Sequence, residues 1–216
     1  MGELASTKQE SCRWRRRKEN RPAEILAAAL KTFSIKGFAA TKLDVVAEEA
    51  GVSKGTLYLY FESKEALFKA VVTEFVLPQI EKAEEQAEQF SGPINELMFA
   101  LLEQWRVNIL ETELSGIPKI MIAEASNFPE LATFYLDNVI QRTRQFVANL
   151  INLGIERGEF RECDSEYAAR LFLSPMVFSA IWQHSLAPYD NDYDTKKYLN
   201  FHLDTFLRGL QKDNQE

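Results

Sequence analysis

The chain has 216 residues, 46% of them hydrophobic and 26% charged, with a formal net charge of −7. This length allows one large or two modest cores, and no apolar run reaches the about 18 residues that read as a membrane-spanning helix. Two cysteines, Cys12 and Cys163, are too few for a disulfide framework or a metal site. We also find no nucleophile–base pair, no glycine-rich phosphate cradle and no metal-ligand cluster, so we expect no enzyme, cofactor or metal.

The first 20 residues predict a flexible basic arm, because six positive side chains stand against one Glu19 over residues 13–21. Within it, Arg15, Arg16 and Arg17 are candidate DNA contacts. Two interpretations stay open: the arm inserts arginine into a minor groove, or it supplies only nonspecific attraction to phosphates.

Residues 21–72 predict three short helices and the start of a fourth. Gly37 ends the first helix, and Thr41 is a candidate cap for the second. The turn Ala50-Gly51-Val52-Ser53 then leads into a third helix capped by Ser53, which is the pattern of a helix-turn-helix. Ser63 is a candidate cap for the fourth helix.

The third helix is short and places polar side chains outward. Leu57 and Phe61 lie four residues apart and are expected to face the core together. This leaves Lys54, Thr56, Tyr58 and Tyr60 to face outward, and such groups suit phosphates and a DNA groove.

Residues 21–70 resemble the DNA-binding domain of the TetR/AcrR family of bacterial transcriptional regulators. The resemblance rests on Phe33, Gly37-Phe38, Ala50-Gly51-Val52-Ser53, Gly55-Thr56-Leu57-Tyr58 and Tyr60-Phe61. It implies a set of DNA-contacting residues: Thr41, Lys42, Ser53, Lys54, Gly55, Thr56, Tyr58, Tyr60 and Lys64. Lys42 and Asp44 depart from the family pattern, and Asp44 would repel a phosphate unless it accepts from a cytosine amine or pairs with a neighbouring lysine.

The charge divides unevenly along the chain. Residues 1–72 carry 13 Lys or Arg against 9 Asp or Glu, a net of +4, and residues 73–216 carry 12 against 23, a net of −11. The basic part is therefore the segment expected to meet DNA, and the acidic remainder would be repelled by phosphates.

Residues 73–216 show helical spacing throughout, and the resemblance implies that they form a ligand-binding and dimerisation domain. Its apolar side chains are candidates for the lining of an effector cavity, although aromatic residues at helical spacing more often form an ordinary core. The candidate effector-binding residues are Trp105, Met121, Glu124, Phe134, Phe172, Met176 and Trp182.

Two helices near the end of the chain have more apolar surface than one core face needs. The helix from 164 to about 186 is apolar around most of its circumference, and the last helix carries an apolar seam. We expect a dimer interface made by Phe178, Ile181, Leu199, Leu203, Phe206 and Leu210. Burial of the seam within one protomer is the alternative.

The sequence thus predicts an all-α protein: an N-terminal three-helix bundle with a helix-turn-helix, joined by a long helix to a larger helical domain. By resemblance, we expect a cytoplasmic homodimeric repressor, associated with the nucleoid when bound. It would release a palindromic operator when a small hydrophobic or cationic effector binds. The alternative is a DNA-bound protein that recruits a protein partner and has no small effector.

Overall fold

The computed structural model describes residues 21–212, and all regular secondary structure among them is helical. These residues form two compact units, divided in the chain between Val71 and Val72. The predicted all-α fold, with a helix-turn-helix unit followed by a larger helical unit, is confirmed.

The first unit contains four helices. They are α1 over residues 21–36, α2 Leu43–Glu49, α3 Lys54–Tyr60 and α4 Lys64–Val71. Three fully buried rings, Phe33, Phe38 and Phe68, pack around one another with centroids 5.4 to 5.5 Å apart. Their tilted and edge-on contacts are favoured aromatic geometries, and they fix α1 and α4 on either side of the loop that carries Phe38.

Two of the predicted caps in this unit are confirmed and one is wrong. Ser53 Oγ accepts from Thr56 N at 3.1 Å, and Ser63 Oγ accepts from Ala66 N at 3.0 Å. Thr41 does not cap α2, because its hydroxyl donates back to the Gly37 carbonyl oxygen at 2.6 Å. The capping position belongs to Lys42, whose side chain makes no capping hydrogen bond.

The second unit is built from seven α-helices interrupted by short π- and 3₁₀-helical segments. The α-helices are α5 Leu77–Gln89, α6 Ile94–Trp105, α7 Gly116–Glu124, α8 Pro129–Tyr135, α9 Gln141–Glu156, α10 Ser165–Gln183 and α11 Thr195–Leu210. The π segments are Val72–Val76, Arg106–Leu110 and Leu136–Ile140. Each π segment shifts the phase of the helix that follows it, because π-helical hydrogen bonds span five residues rather than four.

The core of the second unit lies between α6, α9, α10 and α11. The leucines of α11 are part of it: Leu199, Leu203, Leu207 and Leu210 are between 0% and 7% exposed. The apolar seam of the last helix is therefore satisfied within the protomer. This corrects the assignment of Leu199, Leu203 and Leu210 to a dimer interface, because they have almost no surface left for a partner.

A short connector after α9 ties three helix ends together. Glu159 accepts a hydrogen bond from Ile94 N at 2.6 Å and so caps the start of α6. Arg161 donates from its backbone to Leu210 O at 2.8 Å and from its side chain to Gly209 O at 2.7 Å, which satisfies carbonyl groups at the end of α11. Phe160, between them, is buried against Gly154.

Candidate DNA-binding surface and effector cavity

The turn between α2 and α3 is built on Gly51. Its φ of +64° lies in the left-handed region, which glycine adopts without the penalty that a Cβ brings. Val52 N donates to Ala47 O at 2.9 Å and Gly51 N to Glu48 O at 3.0 Å, so the end of α2 is closed by backbone hydrogen bonds. The chain then re-enters a helix three residues after Gly51, as the sequence predicts.

The outer face of α3 presents aromatic and apolar groups to the surroundings. Tyr58 is 46% exposed and Tyr60 is 37% exposed, whereas Leu57 is fully buried and anchors the helix. Lys54 and Gly55 are also exposed, and Thr56 is half-buried with its hydroxyl 2.8 Å from Ser53 Oγ. Leu59, not among the predicted contacts, is 83% exposed between the two tyrosines. The sequence signal for Leu59 is its place between Tyr58 and Tyr60, two residues that are themselves predicted to face outward.

Asp44 is paired with a lysine of the same surface. Lys54 Nζ lies 2.8 Å from Asp44 Oδ1 and 3.1 Å from Oδ2, and both side chains are exposed. The hydrogen bond to Asp44 and the charge of this carboxylate raise the pKa of Lys54 above its usual value, so Lys54 stays cationic at neutral pH. The structure thus selects the lysine pairing from the two roles that the sequence leaves open for Asp44.

Two of the predicted DNA contacts, Thr41 and Lys64, support the DNA-binding surface from within the first unit. Thr41 is only 2% exposed. Lys64 Nζ donates to the carbonyl oxygens of Phe38, Ala39 and Thr41 at 2.8, 3.1 and 3.2 Å, and it stands 4.5 Å from the centre of the Phe38 ring. The ammonium has three hydrogens, so these bonds use all of its donors. Thr41 and Lys64 therefore shape the loop before α2, while Lys42 beside them is exposed. The predicted contacts Arg15, Arg16 and Arg17 lie outside the described residues.

A large cavity of about 950 Å³ lies within the second unit. Most of its lining is apolar, and it draws residues from α5 to α10 and from all three π segments. Of the predicted effector-binding residues, Trp105, Met121, Phe172 and Met176 line it.

The other three predicted effector-binding residues, Glu124, Phe134 and Trp182, are not among the residues that line the cavity. Glu124 accepts from Asn127 Nδ2 at 3.1 Å, and Trp182 packs between Phe178 and Tyr193. Phe134 is half-buried outside the cavity wall, and its neighbour Tyr135 lines the cavity in its place.

The cavity wall carries positive but no negative side chains. Arg144 and Arg170 line it, and no aspartate or glutamate is among its lining residues. Arg144 Nε is 3.6 Å from Glu166 Oε2, an exposed carboxylate of α10 outside the lining. Tyr135 is buried, with 8% of its surface exposed, and burial raises the pKa of its phenol, which is therefore uncharged. The polar residues of the cavity wall come from several helices, so no local sequence motif predicts them.

Comparison with known proteins identifies the family. Residues 25–71 match the domain described as that of bacterial regulatory proteins of the tetR family, and residues 96–208 match the C-terminal domain of AefR-like transcriptional repressors. The chain is a TetR-family protein. It is therefore a DNA-binding transcriptional regulator and not an enzyme.

Individual members of the TetR family resemble this chain to different extents. The uncharacterized HTH-type transcriptional regulator YhgD of Bacillus subtilis is 31% identical over 178 residues, covering 78% of this chain and 87% of YhgD. RutR of Escherichia coli is 56% identical over 52 residues, which cover 24% of each chain. The crystal structure of FadR from Bacillus subtilis in complex with stearoyl-CoA has a TM-score of 0.72 at 22% identity, over 88% of this chain and 99% of that one.

TetR-family regulators bind DNA operators as dimers, and one helix of this member has an exposed apolar stripe. On α10, Tyr167 is 69% exposed, Leu171 66% and Phe178 45%. Of the predicted interface residues, Phe178 is thus available to a partner, while Ile181 and Phe206 are half-buried. Phe178 and Ile181 also line the cavity.

No helix between residues 21 and 212 is long and apolar enough to cross a membrane. No group of three or more His, Cys, Asp or Glu side chains in that range is arranged to hold a metal ion.

Proposed function

We propose that this regulator is a ligand-responsive repressor. It binds a palindromic operator as a dimer and releases it when a small, largely hydrophobic effector fills the cavity of about 950 Å³. The cavity is the observation that carries the proposal. Protein interiors are close-packed, and a largely apolar cavity of this size is typical of a ligand-binding site.

The lining of the cavity supports a route from effector to DNA. Val76, Gln79, Ile80 and Ala83 belong to the helical stretch that runs without a break from Lys64 to Gln89. The start of this stretch, α4, packs in the first unit through Phe68. An effector that displaces α5 therefore acts on the same continuous helix that anchors the helix-turn-helix. A coupling of about 1–3 kcal/mol suffices to change operator affinity 5- to 150-fold.

The charges of the wall favour an effector with an anionic end. Arg170 offers a partner to a carboxylate or phosphate, and so does Arg144 through the guanidinium donors that its contact with Glu166 leaves over, whereas a cationic effector would meet no opposite charge among the lining residues. Glu124, the predicted partner of a cation, lies outside the cavity wall. The effector class therefore narrows from hydrophobic or cationic to hydrophobic with an anionic group. FadR of Bacillus subtilis, solved with stearoyl-CoA, shows that this fold can hold an acyl ligand.

The repressor mechanism is tested with operator DNA selected from a random pool. We expect palmitate to weaken operator binding at least about tenfold in a fluorescence-anisotropy titration, and hexadecyltrimethylammonium, with the same chain length, to leave it unchanged. The cavity-filling variant Ala83→Phe should bind operator normally and lose the response. Glu88→Phe, which changes an exposed site on the same helix, is the control. A response to the ammonium compound alone would overturn the anionic assignment. Insensitivity to both compounds, together with capture of a protein partner, would favour the recruiting alternative.

The DNA-binding surface is tested separately. Lys54→Ala and Tyr58→Ala are expected to weaken operator binding while the dimer persists in analytical ultracentrifugation. Tyr189→Ala removes an 84%-exposed tyrosine of the second unit and serves as the control. Unchanged operator affinity in both α3 variants would overturn the assignment of α3 as the reading helix.

A further inference from the structure

Two amide side chains in the cavity wall have unmet hydrogen-bonding capacity. Gln79 on α5 and Gln104 on α6 both line the cavity, and the Oε1 atom of each is buried without a hydrogen-bond partner. Among the described residues, the one other buried side-chain nitrogen or oxygen in this condition is Trp182 Nε1, which lies outside the cavity wall. Unpaired buried polar atoms are therefore concentrated where an effector is expected.

A glutamine amide in this position lowers the stability of the ligand-free protein and offers a hydrogen-bonding partner to a ligand. A buried carbonyl oxygen that has lost its water costs free energy unless another donor replaces that water. The terminal torsion of glutamine is broad and roughly two-fold, so a half-turn exchanges the oxygen for the NH₂ group. Each amide can therefore present either an acceptor or a donor to a group that enters the cavity.

On the side of the large cavity, the wall that α5 and α6 contribute offers no charged partner to a ligand. The lining residues contributed by α5 and α6 are otherwise apolar, namely Ile80, Ala83, Met98, Leu101, Leu102 and Trp105. The two arginines of the wall come from α9 and α10. A carboxylate or ammonium beside Gln79 and Gln104 would lose its hydration without gaining an opposite charge. An uncharged group that both donates and accepts meets neither penalty.

We propose that the effector carries a hydroxyl group on its apolar body, and that Gln79 and Gln104 bind this hydroxyl. A hydroxyl donates one hydrogen bond and accepts others, so it can pair with the oxygen of one amide and the NH₂ of the other. The inference rests on the proposed function and adds a second specificity element to it. The arginines of α9 and α10 take the anionic end, and the glutamines of α5 and α6 select for hydroxylation.

The test compares palmitic acid with hydroxypalmitic acids that carry the hydroxyl at different carbons. Trp105 lines the cavity, so a change in the intensity or wavelength of tryptophan fluorescence reports binding to the full-length protein, with calorimetry as the second measurement. We expect at least one hydroxypalmitate to bind the wild type about tenfold more tightly than palmitate, because two buried amides gain partners.

The decisive variant is Gln79→Met with Gln104→Met, which keeps the side-chain length and removes both amides. It should lose the preference for the hydroxylated acid, so that hydroxypalmitate and palmitate bind the double variant with similar affinity. The control is Gln145→Met on α9, whose amide is exposed, bonds to Asn149 at 3.0 Å and lies outside the cavity wall. It should keep the preference.

The outcomes separate this inference from the proposed function. If palmitate binds and releases operator but no hydroxypalmitate binds more tightly, the inference is wrong and the proposed function stands. The same conclusion follows if the double variant retains the full preference. If none of these acids binds the wild type or releases operator, the proposed effector class fails and the hydroxyl inference fails with it.

Discussion

At the scale of single residues, Asp44 controls how much positive charge the reading surface offers. Its carboxylate holds Lys54 Nζ at 2.8 Å, so the lysine reaches DNA only by leaving this partner or by sharing it. An exposed ion pair of this kind contributes little to stability, and its main effect is to compete with a DNA phosphate for Lys54. Asp44 is thus a site where operator affinity can be adjusted without altering the fold.

We predict that Asp44→Asn strengthens DNA binding. Lys54 loses its competing partner and becomes available to a phosphate, so affinity should rise about fivefold at low salt. The slope of log affinity against log salt should steepen by about one. Anisotropy titrations across a salt series measure both quantities. Asp204→Asn, which breaks the exposed pair with Arg208 on α11, should change neither. An unchanged slope in Asp44→Asn would show that Lys54 does not contact the DNA backbone.

Lys64 and Lys42 are predicted to behave in opposite ways. Lys64→Met removes the hydrogen bonds that Lys64 Nζ donates to three carbonyl oxygens and should destabilise the first unit by about 1–3 kcal/mol, with an unchanged salt slope for the folded fraction. Lys42→Met removes an exposed charge and should lower the slope by about one at unchanged stability. Hydrogen exchange of the first unit and the same salt series distinguish the two. A lower slope in Lys64→Met would return this lysine to the DNA contacts.

At the scale of elements, the turn of the helix-turn-helix requires glycine at position 51 because of its backbone conformation. A lack of room for a side chain is not the reason. A Cβ placed on Gly51 would have nothing within 4 Å, and the same is true of Gly209 in α11. The difference between them is φ, which is +64° at Gly51 and outside the left-handed region at Gly209. The two glycines therefore form a matched pair.

We predict that Gly51→Ala costs about 1–2 kcal/mol of stability and weakens operator binding, since relief of the strain re-aims α3. Gly209→Ala should be neutral or stabilising by up to about 1 kcal/mol, because alanine is the better helix former. Thermal unfolding and operator titrations of both variants check this. Equal effects of the two substitutions would mean that the left-handed turn is not what positions α3.

How much of these elements could be predicted depends on whether the deciding contacts are local. The cap of α3 and the burial of Leu57 follow from spacings of three and four residues, which the sequence displays directly. The partner of Asp44 is ten residues away across a turn, so the sequence leaves two choices. The seam of α11 is visible in the sequence, but amphipathicity does not say whether a helix packs on its own core or on a second copy.

The cavity wall was harder to predict for a geometric reason. The sequence between 129 and 156 shows one continuous helical period, whereas the structure places the π segment Leu136–Ile140 between α8 and α9. Such a segment changes the phase of the apolar face. On α8 itself, adjacent residues differ by about 100° in direction, so the choice between Phe134 and Tyr135 depends on where the neighbouring helices lie.

At the scale of the whole molecule, affinity for an operator has to come from a small part of an acidic chain. Residues 1–72 hold the net charge of +4, and residues 73–216, with −11, repel phosphates. A single short α3 offers few contacts. Linking two copies makes the second contact intramolecular and raises overall affinity without any new contact. Operator binding should therefore be highly sensitive to anything that separates the protomers.

The final prediction concerns the exposed apolar stripe of α10, which we propose as the dimer interface in place of the buried leucines of α11. Leu171 is 66% exposed and does not line the cavity, so Leu171→Glu should leave effector binding intact. Burying a carboxylate against a second apolar stripe is unfavourable, and we expect the dimer to weaken at least about tenfold in sedimentation equilibrium. Operator affinity should fall with it. Ile35→Glu, at a 71%-exposed site of the first unit, should leave the dimer intact. A dimer that survives Leu171→Glu unchanged would place the interface away from this stripe.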